Sequence, residues 1–284
     1  MENFTNNETI VAICYDFDKT LSPRDMQEYA FIPSLGYSSE DFWTLANNYH
    51  KELAMDKILA ALFTMFSVSK NKGFPITAAS LREQGEKIEL FKGLDTWFDN
   101  INIYAASIGL KTEHYIISSG LKEMIEGTPI ADKFQHIYAS SYFYGENGEA
   151  IWPKQVVNDI MKTQILYRIN KGYLSENDER INTFIRREDR RVRFENLIFI
   201  GDSETDIPSM SVTQEKGGFA IGVYNPEDKE QGKVLSLMQD GRIDYFAPAD
   251  YTKGEELYKI VKKCLARIHA EADLKAISNS QKYK

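Results

Sequence analysis

Two cysteines, Cys14 and Cys264, are all the thiol chemistry this 284-residue chain holds. One falls in a predicted buried strand and the other in a predicted C-terminal helix, so neither a disulfide framework nor a cysteine metal site is expected. Basic residues are also short. Lys and Arg number 34 against 42 Asp and Glu, a net charge of −8, which disfavours binding to a phosphate backbone and argues against a nucleic-acid partner. Long apolar runs are missing: residues 58–66 fall far short of the roughly 20 residues a membrane span needs. Residues 1–8 are polar without a basic flank, unlike a secretory leader. The four histidines, His50, His114, His136 and His269, show no ligand spacing, and there are no internal repeats. A cytoplasmic protein with no membrane partner is expected. At 43% hydrophobic residues it can build an ordinary core, and its length suggests about two units.

The most informative segment is Cys14-Tyr15-Asp16-Phe17-Asp18-Lys19-Thr20-Leu21, which follows the apolar run 10–13. Such a run predicts a buried parallel strand. Ligands of open α/β sheets bind beyond the carboxyl ends of such strands, so Asp16 and Asp18 stand where chemistry is expected. Two acids there can bind a divalent cation and divide nucleophilic and acid/base work.

Residues 23–91 then turn helical in pattern. Ser38 is a cap signal before Phe42, Trp43, Leu45, Ala46, Tyr49 and Leu53 on one helical face. Residues 55–68 are apolar around much of a helix, and Ser80 with Glu83 are spaced as a capping box for a third helix. The aromatics Phe31, Phe42, Trp43, Tyr49, Phe63 and Phe66 at this spacing are expected to be core. The α/β pattern resumes with a helix at 96–107 stopped by Gly109, and a strand at 114–117 ending in Ser118-Ser119-Gly120. Strands at 134–144 and 150–157 flank the turn Gly145-Glu146-Asn147-Gly148. A helix at 160–169, strands at 197–200 and 219–223, and a helix at 255–269 with a frayed tail complete the pattern. Alternating strands and helices predict an α/β fold with a doubly wound parallel, Rossmann-like sheet and an inserted all-helical cap. The expected division is 1–22 with 92–284 as core and 23–91 as cap. The charge-dense stretch 171–195 reads as a solvated helical excursion.

Four segments share one chemical theme. Asp16 and Asp18 end the first strand, Ser118 the second, Lys162 opens a helix, and Asp202 with Asp206 follow the strand at Gly201. A phosphoryl group needs a cation, an ammonium and hydroxyl or N–H donors converging on its oxygens. In this order the segments resemble the haloacid dehalogenase superfamily of phosphohydrolases. Asp16-Phe17-Asp18-Lys19-Thr20 matches its first motif, Ser118 its second, Lys162 its third and Gly201-Asp202-Ser203-Glu204-Thr205-Asp206 its fourth. A helical insert between the first and second motifs is similar to the phosphoserine-phosphatase-like members.

The resemblance implies that Asp16 is a covalent nucleophile and Asp18 the general acid and base. It implies one Mg²⁺ held by the Asp16 carboxylate, the Asp18 backbone carbonyl and the Asp202 carboxylate. Lys162, Ser118 and backbone N–H groups near Gly120, with Ser119, would hold phosphate. Asp206 would hold Lys162 or a metal-bound water, and Thr20 would position Asp18. Lys162 is preferred to Lys154 because it opens an amphipathic helix after a hairpin, as the third motif does. Ser119 stands where many relatives have glycine. Asp25 stands where phosphoserine phosphatases have a glutamate for the substrate's amino-acid end, and is a candidate specificity residue. The expected enzyme is a Mg²⁺-dependent phosphatase acting on a small phosphorylated metabolite. A phosphotransferase or mutase, and a silent module that binds a phosphorylated ligand, remain alternatives. Asp18 argues against a dehalogenase, which has no alkoxide to protonate.

Overall fold

The structure, a computed structural model, describes residues 9–227 and 231–282; the polar segment 1–8 lies outside them. The apolar run before Asp16 forms β1 (Thr9–Tyr15). Four helices follow: α1 (Phe31–Ser34), α2 (Ser39–Leu53), α3 (Lys57–Asn71) and α4 (Ala78–Gly85). Next come α5 (Leu94–Ser107), β2 (Leu110–Leu121), α6 (Lys122–Glu126), β3 (His136–Tyr144) and β4 (Ala150–Gln155). The chain continues through α7 (Asp159–Lys171), β5 (Leu197–Gly201), α8 (Ile207–Glu215), β6 (Phe219–Tyr224), α9 (Gly232–Gln239), β7 (Tyr245–Pro248) and α10 (Glu256–Lys282).

Among the described residues these strands form one sheet in the order β4-β3-β2-β1-β5-β6-β7. Only the β3–β4 edge pair is antiparallel. β1 is central and buried on both faces. Val11, Ile13 and Tyr15 point into one apolar cluster with Trp97, Phe98 and Ile101 of α5 and Leu257 and Val261 of α10. Ala12 and Cys14 point into the other, with Ile165, Leu166 and Ile169 of α7 and Met210 of α8. Helices on both faces explain why β1 reads as a continuous apolar run instead of an alternating one. No helix of the described residues is long and apolar enough to cross a membrane.

The α1–α4 segment joins the first of these clusters: Phe31, Phe42, Leu62 and Met65 pack in it with residues of β1 and α5. It is also tied to the sheet by hydrogen bonds. Tyr142 Oη of β3 donates to Leu62 O at 2.6 Å, and Ala150 N donates to Ile76 O at 2.7 Å. The predicted cap of α2 is present, Ser38 accepting from Asp41 N.

Several boundaries differ from the sequence expectations. The capping box of α4 is Thr77 with Ser80, not Ser80 with Glu83. β2 runs to Leu121 with a bulge between Ile117 and Leu121, so Ser118 and Gly120 lie in the distorted strand end. α10 continues past residue 269 to Lys282, its last turns exposed. The charged stretch 171–195 holds three 3-10 turns in place of a helix. It is pinned by Arg191, whose Nη1 donates to buried Glu113 Oε2 at 2.7 Å.

Beneath β1, Trp97 Nε1 donates to Tyr15 Oη at 2.9 Å and Tyr15 Oη meets His114 Nδ1 at 3.0 Å. His114 Nε2 meets Asn102 Oδ1 at 2.9 Å. The chain is satisfied by a neutral ring that accepts at Nδ1 and donates at Nε2. Burial pushes the His114 pKa down to about 3. Its folded pKa therefore lies below its unfolded one, so its contribution is fully present above about pH 6.5 and is lost as pH falls toward the folded value. Urea unfolding between pH 6.5 and 4.5 should show wild type losing up to about 1.4 kcal/mol per pH unit more than His114→Gln. Parallel profiles for the two proteins would contradict this.

Candidate active site

The sharp turn after β1 sets the site. Lys19 adopts a left-handed backbone, φ 57°, and the N–H groups of Thr20, Leu21 and Ser22 all donate to Phe17 O. A non-glycine residue at positive φ is uncommon and marks a turn the surroundings enforce. Its effect is to keep Asp16 at the sheet's carboxyl edge while Asp18 turns toward the helical segment.

Asp16 is pinned on both oxygens. Phe17 N donates to Oδ1 at 2.7 Å, and Lys162 Nζ lies 2.9 Å from Oδ2. Lys162 comes from the first turn of α7, capped by Asn158, and is fully buried. Its other partner is Asp206 Oδ1 at 2.7 Å. Asp206 Oδ2 accepts from Ser203 N at 3.2 Å and Ser203 Oγ at 3.1 Å. Gly201 makes room for this arrangement, since a Cβ there would come within 2.5 Å of Asp206 Oδ2. The structure thus brings Lys162 to Asp16, whereas Lys154 lies exposed in β4.

Asp18 accepts from Met26 N at 2.7 Å. Gly120 lies against the same place: a Cβ there would meet Met26 Cε at 2.1 Å and Asp18 Oδ2 at 3.1 Å. Thr20 does not position Asp18 as expected. Its hydroxyl donates to Asp202 Oδ1 at 3.2 Å, and its carbonyl accepts from Tyr251 Oη at 2.7 Å. The turn rotates Thr20 toward the end of β5, so it orients the fourth-motif acid. Ser118 Oγ accepts from Gly120 N at 3.1 Å, and the buried Ser119 hydroxyl has no partner among the described residues. Asp25 reaches the same cleft but pairs with Lys19 at 2.8 Å.

Burial and the neighbouring Asp206 push Asp16 up to about 6, against the pull of Lys162 and the Phe17 N–H. Burial, then Asp25 and Asp16, hold Asp18 well above the usual carboxylate range. Burial, then Asp206 and Asp16, do the same to Asp202. Burial alone would lower Lys162, but Asp16 and Asp206 hold it above the ordinary lysine value.

This corner is short of positive charge. Asp16, Asp202 and Asp206 present oxygens within 4.8 Å of one another, with Lys162 the ammonium between two of them. Hard carboxylate oxygens in such excess fit a hard divalent cation. Asp18's carboxylate stands outside that group. Asp16, Asp18 and Asp202 open into a cavity of about 420 Å³ also lined by Ser118, Ser119 and Gly120 and, from the helical segment, by Gln27, Trp43, Leu62 and Met65. Gln27 and Trp43 were not legible as site residues. Trp43 sits in an ordinary amphipathic pattern and Gln27 in a short turn without periodicity.

The haloacid dehalogenase-like hydrolase family matches residues 13–211. An uncharacterized protein of Borreliella burgdorferi is 26% identical over 295 residues, covering 91% of this chain and 98% of that protein. A substrate-bound phosphoserine phosphatase complex superposes with TM-score 0.56 at 15% identity, over 90% of this chain and 99% of the other. A HAD family hydrolase from Salmonella enterica serovar Typhi gives TM-score 0.55 at 18% identity, over 83% of this chain and 66% of that longer one. The structural likenesses establish the fold.

Lys162→Met keeps the volume of the buried stem and removes the ammonium from between two acids. Stability at neutral pH should fall by about 3–5 kcal/mol, as when one partner of a buried pair is lost, and should recover in part as pH falls, because Asp16 without the pull of Lys162 takes a proton more readily. Urea unfolding at pH 7.5 and 5 checks this. A loss under about 1 kcal/mol at pH 7.5 would show that the lysine does not balance the buried acids.

Proposed function

The chain belongs to the haloacid dehalogenase-like hydrolase family, and on that premise we propose that it is a Mg²⁺-dependent phosphatase that cleaves a small-molecule phosphomonoester through a phosphorylated Asp16. The observation that carries this reading is the Asp16 carboxylate, fixed between Lys162 Nζ and Phe17 N–H at the edge of a cavity lined by Ser118, Ser119 and Asp18.

In this reading an Asp16 oxygen attacks phosphorus, and the ester P–O bond breaks with its electron pair going to the alcohol oxygen. Asp18, held protonated by burial and its acidic neighbours, gives that oxygen its proton. The Asp18 carboxylate then takes a proton from water as the water oxygen attacks the phosphoryl group. The P–O bond to Asp16 breaks, phosphate leaves, and both acids return to their starting states. Lys162 offsets charge on Asp16 and on the phosphoryl oxygens; Ser118, Ser119 and backbone N–H groups near Gly120 receive those oxygens. Mg²⁺, held by the Asp16 and Asp202 carboxylates and the Asp18 carbonyl, would supply the positive charge that these acids lack and that a phosphate dianion requires. Asp206 keeps Lys162 in place, and Thr20 keeps Asp202 in place.

Residues 23–91 serve as the cap over this cavity. A phosphorylated aspartate must be shielded until one water is admitted, which calls for a lid that opens and closes. Opening would have to release the Tyr142–Leu62 and Ala150–Ile76 hydrogen bonds.

Asp16→Asn should lower phenyl phosphate turnover by at least about 10³-fold with little change in the melting curve, since volume is kept and only the nucleophile's charge is lost. Retained turnover would remove Asp16 from that role. EDTA should abolish activity and Mg²⁺ restore it, with Ca²⁺ supporting it poorly because its looser coordination misplaces the attack. Equal rates with EDTA and with Mg²⁺ would sink the metal assignment. Thr20→Val should raise the Mg²⁺ concentration for half activity by about tenfold, as loss of a ligand's supporting hydrogen bond does; an unchanged Mg²⁺ requirement would show that Thr20 does not orient Asp202.

A further inference from the structure

Gln27 is buried at 7% exposure and lines the same cavity as Asp16 and Asp18. Its amide makes no side-chain hydrogen bond among the described residues, and Oε1 is a buried atom without a partner. Buried polar groups are nearly always satisfied, and an exception in a cleft marks a place where a ligand completes the set. The backbone holds it where the reaction would occur: Met26 N, one residue earlier, donates to Asp18 Oδ1. Gln27 therefore lines the cavity from the segment whose backbone holds Asp18, the group that would protonate the leaving oxygen.

The cavity wall supplied by α2 and α3 is mainly apolar, Asn47 and Lys57 being its polar members. Trp43, Ala46, Ile58, Ala61, Leu62 and Met65 line the cavity from α2 and α3. Glu28 Oε1 accepts from Trp43 Nε1 at 2.9 Å and fixes the indole. Glu28, the acid next to Gln27, is engaged with Trp43, Asp25 already pairs with Lys19, and Lys57 and Lys233, which also line the cavity, are exposed. A zwitterionic amino-acid end would have to give up the hydration of two charges against this wall without a free buried counter-charge.

We propose that Gln27 is a specificity-determining residue and that the alcohol half of the ester is uncharged and mainly apolar, with one hydrogen-bonding group close to the ester oxygen. This rests on the phosphatase reading above. The test uses the full chain with Mg²⁺ and four esters: phenyl phosphate, O-phosphoserine, 2-phenylethyl phosphate and 2-hydroxy-2-phenylethyl phosphate.

Wild type should use the hydroxylated phenylethyl ester with a kcat/KM at least about tenfold above that for phosphoserine. Gln27→Leu should lower kcat/KM for the hydroxylated ester by about tenfold, mainly through KM, and change the plain phenylethyl ester less than about twofold. The variant should melt no lower than wild type, because it removes a buried unpaired amide, which a purely structural glutamine would not allow. A preference for phosphoserine, an equal loss on both phenylethyl esters or no loss on either would overturn the inference while phenyl phosphate turnover leaves the phosphatase reading standing. No turnover of any of the four, phenyl phosphate included, would overturn both.

Discussion

The whole site depends on one buried ion cluster, Lys162 held between Asp16 and Asp206. Both acids and the lysine are almost fully buried, so the lysine cannot leave without stranding two acids in a medium of low polarity. That interdependence fixes three distant parts of the chain against each other: the end of β1, the first turn of α7 and the loop after β5. It also leaves the corner short of positive charge. Among the described residues only Thr20 donates to the Asp202 carboxylate, and both Asp202 and Asp18 are pushed toward the protonated form by burial and neighbouring acids. A divalent cation is the species whose arrival would relieve both conditions.

The sheet delivers these groups by topology. β1 lies between β2 and β5, all parallel, so Asp16, Ser118 and Asp202 leave adjacent strands at one edge. The helical segment closes the opposite side, and Met26 links the two by its backbone bond to Asp18 and its contact with Leu121 N. The acids thus sit at strand ends, while much of the remaining cavity wall comes from α2, α3 and the short turn before them. Gln27 and Asp18 both line the cavity there.

Much of this was legible in the sequence because the signals were local. A continuous apolar run followed by Asp16-Phe17-Asp18, a serine cap at Ser38, and a glycine-rich turn between two strands each report backbone preferences within a few residues. The α/β sheet followed from the alternation of strands and helices, and the convergence of Asp16, Lys162 and Asp206 was implied by the family resemblance that their order carries. What escaped notice was long-range or ambiguous. Thr20 and Asp202 are 182 positions apart, and nothing near Thr20 indicates which way its hydroxyl turns. Thr77 and Ser80 lack the glutamate that usually marks a capping box. The stretch 171–195 reads as solvated helix because the pairing of Arg191 with Glu113 belongs to tertiary contact. Gln27 is a single neutral residue in a turn, and only the emptiness around its amide sets it apart.

The central claim is that Asp16 becomes covalently phosphorylated. Its most direct test is a millisecond rapid quench into acid of the Mg²⁺-loaded protein turning over ³²P-labelled phenyl phosphate, followed by peptide mapping. The account predicts an acid-stable, alkali-labile label on the peptide that carries Asp16, appearing and decaying at rates that match turnover. Turnover in the same sample with no labelled protein, or with label on any other residue, would contradict it.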